Sequence, residues 1–410
     1  MILNMLKTLK NIFCKKSNNE LFIEYDKLCK RSATLGANYV SYKEHKLTSD
    51  KINVVKNIAL YLPQFHTIPE NDLWWGKNFT EWSNVVKAVP QYLGQHQPQL
   101  PVDIGFYDLM EKKTWQQQID MAKNYGIYGF CYYFYWFNGR RILEKPLDLF
   151  LADKSLNMPF CLFWANDSWV RTWHGFSDFE QGNRVLLEQN HNDEDDINVM
   201  TYLCENVFKD ERYIKIGNKP LFIVYHIDLF KDIKQTVKIW REISLTCGFD
   251  GLYLLYVLMP GQENLDAHSI GFDAVMQFPP IACSKEKAGV NILNSNFTGE
   301  VYSYNSVVKS EQNRKFKYNN IFRGCFTSWD NEARRPTKGI SYIGSSPDDF
   351  YDYLKSMNDW AKTHPCDNES IVFINAWNEW AEGAHLEPDR EYGYAWLEQV
   401  SKVVDYNFLK

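Results

Sequence analysis

Short apolar runs alternate with amphipathic segments along the chain from about residue 57 onward. The apolar runs are rich in β-branched and aromatic residues, which predicts strands at 58–63, 128–135, 159–164, 220–225, 252–258, 274–278, 321–326 and 371–376. Between them, apolar positions at helical spacing predict helices at 111–125, 143–151, 195–208, 229–246, 300–313, 347–362 and 392–404. This alternation predicts an α/β fold, a single (β/α)8 TIM-type barrel, with a doubly wound parallel sheet as the alternative.

The first fifty residues lack this regularity and predict an N-terminal helical extension, with the barrel occupying residues 51–410. The extension begins as a basic amphipathic helix. Its apolar positions at helical spacing, separated by Lys7 and Lys10, are Ile2, Leu3, Leu6, Leu9, Ile12 and Phe13. Such a helix either rests weakly on an anionic membrane surface or docks on its own protein.

Composition narrows the classes of partner and the compartment. A net charge of -6 and a pI near 5.9 give no electrostatic basis for nucleic-acid binding. The nine cysteines are an odd number without a C-x-x-C pair, which favours a reducing compartment. No apolar run reaches the roughly 18 residues of a transmembrane helix. We therefore predict a cytoplasmic protein, peripheral at the inner face of the membrane if the basic helix binds lipid, and the oligomeric state stays open.

Polar and aromatic side chains gather just after seven of the eight predicted strands, where a barrel of this type carries its active site. The candidates for substrate binding at these strand ends and in the loop after the first strand are Gln64, His66, Trp82, His96, Tyr133, Tyr135, Trp136, Trp164, Asn166, His226, Gln277, Trp329, Asp330, Trp377, Asn378 and Trp380. Flat aromatic faces with polar neighbours suit sugar rings. Any one of these side chains could instead be a bonded residue of the barrel rim, and the tryptophans could simply fill the barrel mouth.

Two carboxylates, Glu379 and Glu382, follow the last predicted strand and are flanked by tryptophans. Breaking or forming a glycosidic bond requires one acid and one base, whose pKa values differ because their environments differ. We therefore predict Glu379 and Glu382 as the catalytic pair, with an ordinary acidic turn as the alternative. The acids at 193–196 open a predicted helix, and no phosphate-binding glycine loop follows any strand, so we expect no metal and no cofactor.

Several motifs occur in order along the chain, at 59–66, 78–82, 94–98, 130–136, 163–166, 329–335 and 375–388. With these motifs the chain resembles, over residues 57–405, the WbsX family of glycosyltransferases from bacterial surface-polysaccharide loci. That family is similar to the glycoside hydrolase family 99 fold of endo-α-mannosidases. The extension before residue 50 is not covered by the resemblance.

The resemblance implies roles for the two glutamates. In the hydrolases the first Glu of the matching motif takes a proton from the 2-hydroxyl of the sugar, which gives a 1,2-anhydro intermediate. The second protonates the leaving oxygen and later activates the acceptor. Here these positions are Glu379 and Glu382, while Ala381 replaces the histidine of the hydrolases, so the resemblance leaves specificity for mannosides open.

The predicted function is glycosyl transfer in O-antigen or capsule biosynthesis, with a glycan or sugar donor and an acceptor as partners. An endo-acting glycoside hydrolase and a non-catalytic glycan-binding protein are the alternatives.

Overall fold

The computed structural model describes residues 18–170 and 184–409. Eight parallel strands form its central sheet. In chain order these strands, β1 to β8, are Lys56–Tyr61, Gly129–Phe137, Phe160–Trp164, Lys219–Val224, Tyr253–Val257, Ala274–Met276, Ile321–Phe326 and Ile371–Asn375. Nearly every strand residue is buried, because helices or loops cover the outside and side chains fill the inside.

Each strand pairs in parallel with the next along the chain, from β1 to β8. The sheet then closes, because β8 pairs with β1 in the register Lys56 to Ile371. A doubly wound sheet would have two open edges, so closure excludes that alternative. The prediction of a (β/α)8 barrel is confirmed, and all eight predicted strands are present.

The helices of the described residues, α1 to α11, are Asn18–Arg31, Ser49–Val54, Pro69–Trp75, Trp82–Val85, Lys112–Asn124, Lys145–Ala152, Asp193–Asn206, Ile233–Thr246, Tyr304–Asn313, Pro347–Thr363 and Ala395–Leu409. Helix α10 begins where its sequence predicts, because the Ser346 side chain accepts a hydrogen bond from the Asp349 N–H and Pro347 occupies the first turn. Between β5 and β6 the chain makes only the short 3-10 turn Ala267–Ile270, so this crossover contains no α-helix.

The loops after β6 and β7 form a small three-stranded sheet, here called the mouth sheet. Its strands are Glu300–Ser303, Ile340–Ile343 and Trp329–Asp330. The predicted helix at 300–313 was wrong in its first four residues, because Val301 and Tyr302 pair with this sheet and Ser303 then caps α9. The sheet lies beside the barrel mouth because its third strand directly follows the loop that leaves β7.

Shorter strands complete the connections, at Arg140–Ile142, Trp169–Val170, Val185–Leu187, Lys215–Ile216, Asn378–Glu379 and Ala384–His385. Three further 3-10 turns lie at Ile227–Leu229, Asn331–Ala333 and Trp380–Glu382.

The part of the extension that the structure describes is tied to the end of the barrel. The Arg31 guanidinium pairs with the Glu391 carboxylate, and Val40 exchanges backbone hydrogen bonds with Tyr392 and Tyr394. The predicted basic helix at residues 1–16 lies outside the described residues. The predicted division between residues 50 and 51 stays a prediction, and α2 spans that point. Within 18–170 and 184–409, no helix combines the length and the apolarity needed to cross a membrane.

Candidate active site

A cavity of about 440 Å³ opens at the C-terminal ends of the barrel strands. Six of the residues predicted from the sequence line it, namely Gln64, Tyr133, Tyr135, Trp329, Glu379 and Glu382. They come from the ends of β1, β2, β7 and β8, so residues distant in sequence meet at one face of the barrel. This is the face on which barrel enzymes of this type carry their active sites.

A tight hairpin after β8 presents the two glutamates. Residues Asn378–Glu379 pair with Ala384–His385, and the 3-10 turn Trp380–Glu382 connects them. The turn ends at Gly383 with φ 62°, where a Cβ would lie 2.9 Å from the Gln99 side chain and 3.0 Å from the Asp330 nitrogen. Only glycine suits this position, because it combines a left-handed backbone with no space for a side chain. Glu379 and Glu382 consequently both line the cavity.

One guanidinium, that of Arg334, joins both glutamates. Its Nη1 donates to Glu382 Oε1 at 2.6 Å and its Nη2 donates to Glu379 Oε2 at 2.8 Å. Its Nε donates to Glu81 Oε1 at 2.8 Å, and the other oxygen of Glu81 accepts from Gln64 Nε2 at 2.7 Å. Glu81 is fully buried and Arg334 is only 12% exposed, so this cluster is a built part of the barrel mouth.

The cluster holds three carboxyl groups and one permanent positive charge. Burial raises the pKa of Glu379 well above its usual range, while Arg334 lowers it and the neighbouring carboxylates of Glu382 and Glu81 raise it. Burial also raises the pKa of Glu382, again against the lowering effect of Arg334. Burial and the neighbouring carboxylates thus both favour the protonated form of Glu379, against the single guanidinium. A carboxyl whose pKa is raised in this way is suited to acid-base chemistry.

Aromatic rings form the walls of the cavity. They belong to Trp74, Trp75, Tyr133, Tyr135, Phe163, Trp169, Tyr225, Phe278 and Trp329. Trp169 holds two of them in place, with its ring centroid 5.3 Å from that of Tyr135 and 6.2 Å from that of Trp74, both edge to face. The carboxylates therefore lie among apolar ring faces, an arrangement that can stack a sugar while polar groups bond its hydroxyls.

Three predicted residues build the hairpin after β8 instead of lining the cavity. The Asn378 side chain accepts from the Leu62 N–H at 2.7 Å and donates to the Leu62 carbonyl at 3.0 Å, which joins β1 to β8. The Trp380 ring stacks on His385 with centroids 3.9 Å apart. Trp377 is fully buried against Phe130 in the core.

Two further predicted residues, Asp330 and Gln277, are bonded inside the protein and do not line the cavity. Asp330 accepts from the Gln95 side chain at 2.8 Å and from the Glu332 N–H at 3.1 Å, so it caps the turn that carries Arg334. Burial raises the pKa of Asp330 to about 6. Gln277 lies in a separate buried network, where its carbonyl oxygen accepts from Arg323 Nε at 2.7 Å.

Three predicted tryptophans are packing residues in this structure. Trp82 donates its indole N–H to the Tyr107 carbonyl at 2.9 Å, and Trp136 donates its own to Asp195 Oδ1 at 2.8 Å. Trp164 is fully buried, with its ring 6.0 Å from that of Trp240. None of the three lines the cavity.

The predicted histidines and Asn166 also lie away from the cavity. His66 is buried with Nδ1 2.9 Å from the Pro63 carbonyl, and burial lowers its pKa. Burial, together with the charge of Arg31, lowers the pKa of His96 to about 4. The Asn166 side chain bonds both backbone polar groups of His226, each at 2.8 Å. A role for these residues in binding substrate stays a prediction.

Sequence reasoning did not select Arg334 and Glu81 as site residues. Both were visible in the motifs, Arg334 a few residues after the seventh strand and Glu81 among the tryptophans of the first loop. The available signal was charge balance, because two buried acids require a nearby cation. No periodicity identifies which arginine supplies it.

A family model described as glycosyltransferase WbsX matches residues 57–400. The chain belongs to the WbsX family. This WbsX-family chain is 40% identical over 349 residues to an uncharacterized protein WxcX from Xanthomonas campestris pv. campestris strain B100, with 85% of the chain covered. The WxcX protein of strain ATCC 33913 matches equally. The alignment covers 49% of these relatives, so the chain spans about half their length.

Solved structures resemble the WbsX-family barrel in fold. One is the GH99 endo-alpha-mannosidase from Bacteroides thetaiotaomicron, with a TM-score of 0.51, 14% identity and coverage of 86% of this chain and 97% of that chain. Another, a glycoside hydrolase-like protein, has a TM-score of 0.52, 12% identity and coverage of 91% and 98%. The chain therefore belongs to a family described as glycosyltransferases, and it shares its barrel fold with a glycoside hydrolase.

Proposed function

We propose that this barrel transfers a sugar from a donor to an acceptor glycan, with Glu382 as the acid and base at the leaving oxygen and Glu379 as the partner base. The observation that carries the proposal is the pairing of two cavity-lining carboxylates through one buried guanidinium. The shared guanidinium keeps both carboxylates at one place in the cavity, where they can act on the same sugar. Aromatic walls on the same cavity support a sugar as the substrate.

The charges of the cluster supply a proton for these roles but do not fix their order, because burial raises the pKa of Glu379 further than that of Glu382. Ionised Glu379 takes the proton of the sugar's 2-hydroxyl, whose oxygen forms a bond to the anomeric carbon. As that bond forms, the bond from the anomeric carbon to the leaving oxygen breaks, and protonated Glu382 gives its proton to the leaving oxygen. In the second half, Glu382 takes the proton of the acceptor hydroxyl and Glu379 returns its own. The order of the two roles rests on the family resemblance, whereas the need for one proton between them rests on the charges of the cluster.

We further propose that the enzyme acts in the assembly of a bacterial surface polysaccharide, O-antigen or capsule, at the cytoplasmic face of the membrane. Family membership supports the polysaccharide role. The basic amphipathic sequence at residues 1–16 supports the position at the membrane. Hydrolysis of an internal glycosidic bond is the second candidate, favoured by the chemistry that the same two carboxylates could perform on water.

The decisive experiment compares wild type with Glu379→Gln and Glu382→Gln on bacterial polysaccharide fragments, with products followed by mass spectrometry. Each variant keeps the shape of its side chain, so it should fold and bind glycan but lose roughly a hundredfold or more in rate. Glu242→Gln, on the exposed face of α8, is the matched control and should keep full rate. The double variant should be little slower than the slower single one, because both groups act in one step.

The products separate the candidate reactions. Longer glycans indicate transfer and shorter ones indicate hydrolysis. Near-full rates in both single variants would mean that the acids have been assigned wrongly. Rescue of Glu382→Gln alone by a substrate with a good leaving group would support the order of roles, because such a substrate needs no protonation.

A further inference from the structure

A second cavity lies beside the candidate active site, and we name it the flank cleft. Its volume is about 830 Å³, against about 440 Å³ for the active-site cavity. Its walls come from the loop after β5, the loop after β6, the C-terminal end of α9 and the mouth sheet. Ile281, Trp329 and Asn331 line both cavities. The two spaces therefore meet at Trp329, whose half-buried ring borders each of them.

Two departures from a regular barrel occur near the flank cleft. The crossover between β5 and β6, which contributes Pro260 and Glu263 to its wall, contains only the 3-10 turn Ala267–Ile270 and no α-helix. The next loop is long, and it continues into the first strand of the mouth sheet before α9 begins. Segments that a minimal barrel does not need thus surround a space that opens beside the acids.

The charges in the flank cleft indicate the class of ligand. Two acidic side chains, Glu263 and Glu311, and two basic ones, Lys285 and Arg314, line it, so its charge is balanced. Arg314 is already engaged, because its Nη1 donates to Glu311 Oε1 at 3.0 Å and to a backbone carbonyl at 2.7 Å. Because the acidic and basic side chains balance and Arg314 is already bonded, the flank cleft has no excess positive charge to bind a nucleotide or a polyanion. It suits a neutral ligand rich in hydroxyls better.

The remaining lining residues fit a sugar chain. Trp329 and Tyr342 pair directly across two strands of the mouth sheet and both line the flank cleft, but Tyr342 is only 5% exposed, so the half-buried Trp329 is the ring that a ligand can reach. Ser284, Ser310 and Asn313 add small polar side chains on the facing walls. Rings beside hydroxyl and amide groups are the combination that holds carbohydrate, since the ring faces stack on the sugars and the polar groups bond their hydroxyls.

We propose that the flank cleft binds the neutral sugars that continue the glycan chain beyond the sugar held at Glu379 and Glu382. The proposal rests on the proposed function, because it makes the ligand a continuation of the substrate of that site. Its consequence is that the enzyme recognises a chain of several sugars, and that longer glycans bind more tightly than a disaccharide.

Two blocking variants test this by binding, which needs no turnover. Ser284→Trp and Ser310→Trp place a large ring in the flank cleft from two different walls, and neither residue lines the active-site cavity. Ser269→Trp, on the exposed turn before β6, is the matched control. The probes are neutral bacterial polysaccharide fragments of graded length, from disaccharide to octasaccharide, titrated by calorimetry.

Wild type and the Ser269→Trp control should bind the longer fragments about tenfold or more tightly than the disaccharide, as about one or two additional hydrogen bonds and stacked rings would give. Both blocking variants should bind disaccharide normally and lose this gain. A gain that persists in both variants, or no gain with length in wild type, would overturn the proposal. If the length dependence is as expected but the glutamine variants at 379 and 382 keep full turnover, the cleft stands and the proposed catalysis fails.

Discussion

Arg334 is the single cation that three buried carboxylates share, so its removal should be costly in a way that depends on pH. Arg334→Met leaves Glu81, Glu379 and Glu382 without a counter-charge, and breaking a buried ion pair in this manner costs roughly 3–5 kcal/mol. We expect this loss in the free energy of unfolding at pH 8, measured by urea denaturation. Arg335→Met, a neighbouring exposed arginine, is the control and should change stability by less than about 0.5 kcal/mol.

The sign of the pH dependence follows from the same charges. Without the guanidinium, the pKa values of the two cavity glutamates rise further above their values in the unfolded chain, because the lowering effect of Arg334 is gone. The folded variant then gains stability by taking up protons as the pH falls. The deficit of Arg334→Met should therefore be smaller at pH 5 than at pH 8. An equal deficit at both pH values would show that lost packing, and not charge, is responsible.

At the scale of single residues, the sequence predicted which acids line the cavity, but it did not predict which neighbouring tryptophans do. Glu379 and Glu382 stood out because aromatic residues beside acids are unusual in a solvated turn, and both line the cavity. Trp377 and Trp380 stood out for the same reason, yet they are core residues of the hairpin. Composition reveals that a ring lies near an acid but not which way it points, because that depends on the hydrogen bonds of the turn.

At the scale of elements, the hairpin after β8 depends on a buried carboxyl behind it. Glu387 accepts hydrogen bonds from Tyr107 at 2.8 Å and from Gln118 and Trp380 at 2.7 Å each. Burial nevertheless raises the pKa of Glu387 to about 7, with these donors acting in the lowering direction. The Glu387 carboxyl therefore bonds Trp380 in the hairpin, and its pKa of about 7 lies near neutral pH.

This titration gives a stability prediction. Because the folded pKa of Glu387 lies above its ordinary value near 4.5, its contribution is complete below about pH 4.5 and is lost as the pH rises to about 7. The loss amounts to about 3 kcal/mol if the full shift is expressed. Glu387→Gln removes this dependence, so urea denaturation should show a smaller fall in stability between pH 5 and pH 8 than in wild type. The same fall in both proteins would contradict the assignment.

The elements themselves were largely predictable, and the exceptions have a physical cause. Buried barrel strands read as continuous apolar runs, and the exposed helices between them keep an amphipathic period, so local sequence determined both. The mouth sheet was missed because its strands are two to four residues long and pair across the loops after β6 and β7. Short strands in loops gain their stability from such distant partners, which no local pattern reports.

At the scale of the whole molecule, the predicted barrel is present. The prediction that belongs to this scale is binding of the protein to a membrane surface. Deletion of residues 1–16 should reduce binding to vesicles that contain anionic lipid, because it removes the basic amphipathic segment. The barrel should stay folded, with an unchanged circular dichroism spectrum and melting temperature. Replacement of Lys7 and Lys10 by Gln, which keeps the length, should reduce binding in part. Unchanged vesicle binding in both variants would show that this segment has no role at the membrane.

The joining of β1 to β8 has a consequence for how the enzyme is made. The hydrogen bonds between Leu62 and Asn378 connect residues 316 positions apart, and the carboxylates follow directly after the closing strand. A chain emerging from the ribosome therefore has an open sheet with two unprotected edges until Ile371–Asn375 has been synthesised. Glu379 and Glu382 take their places only when β8 pairs with β1 and closes the barrel. A nascent or prematurely terminated chain thus carries no assembled pair of Glu379 and Glu382, so under the proposed function it should have no activity.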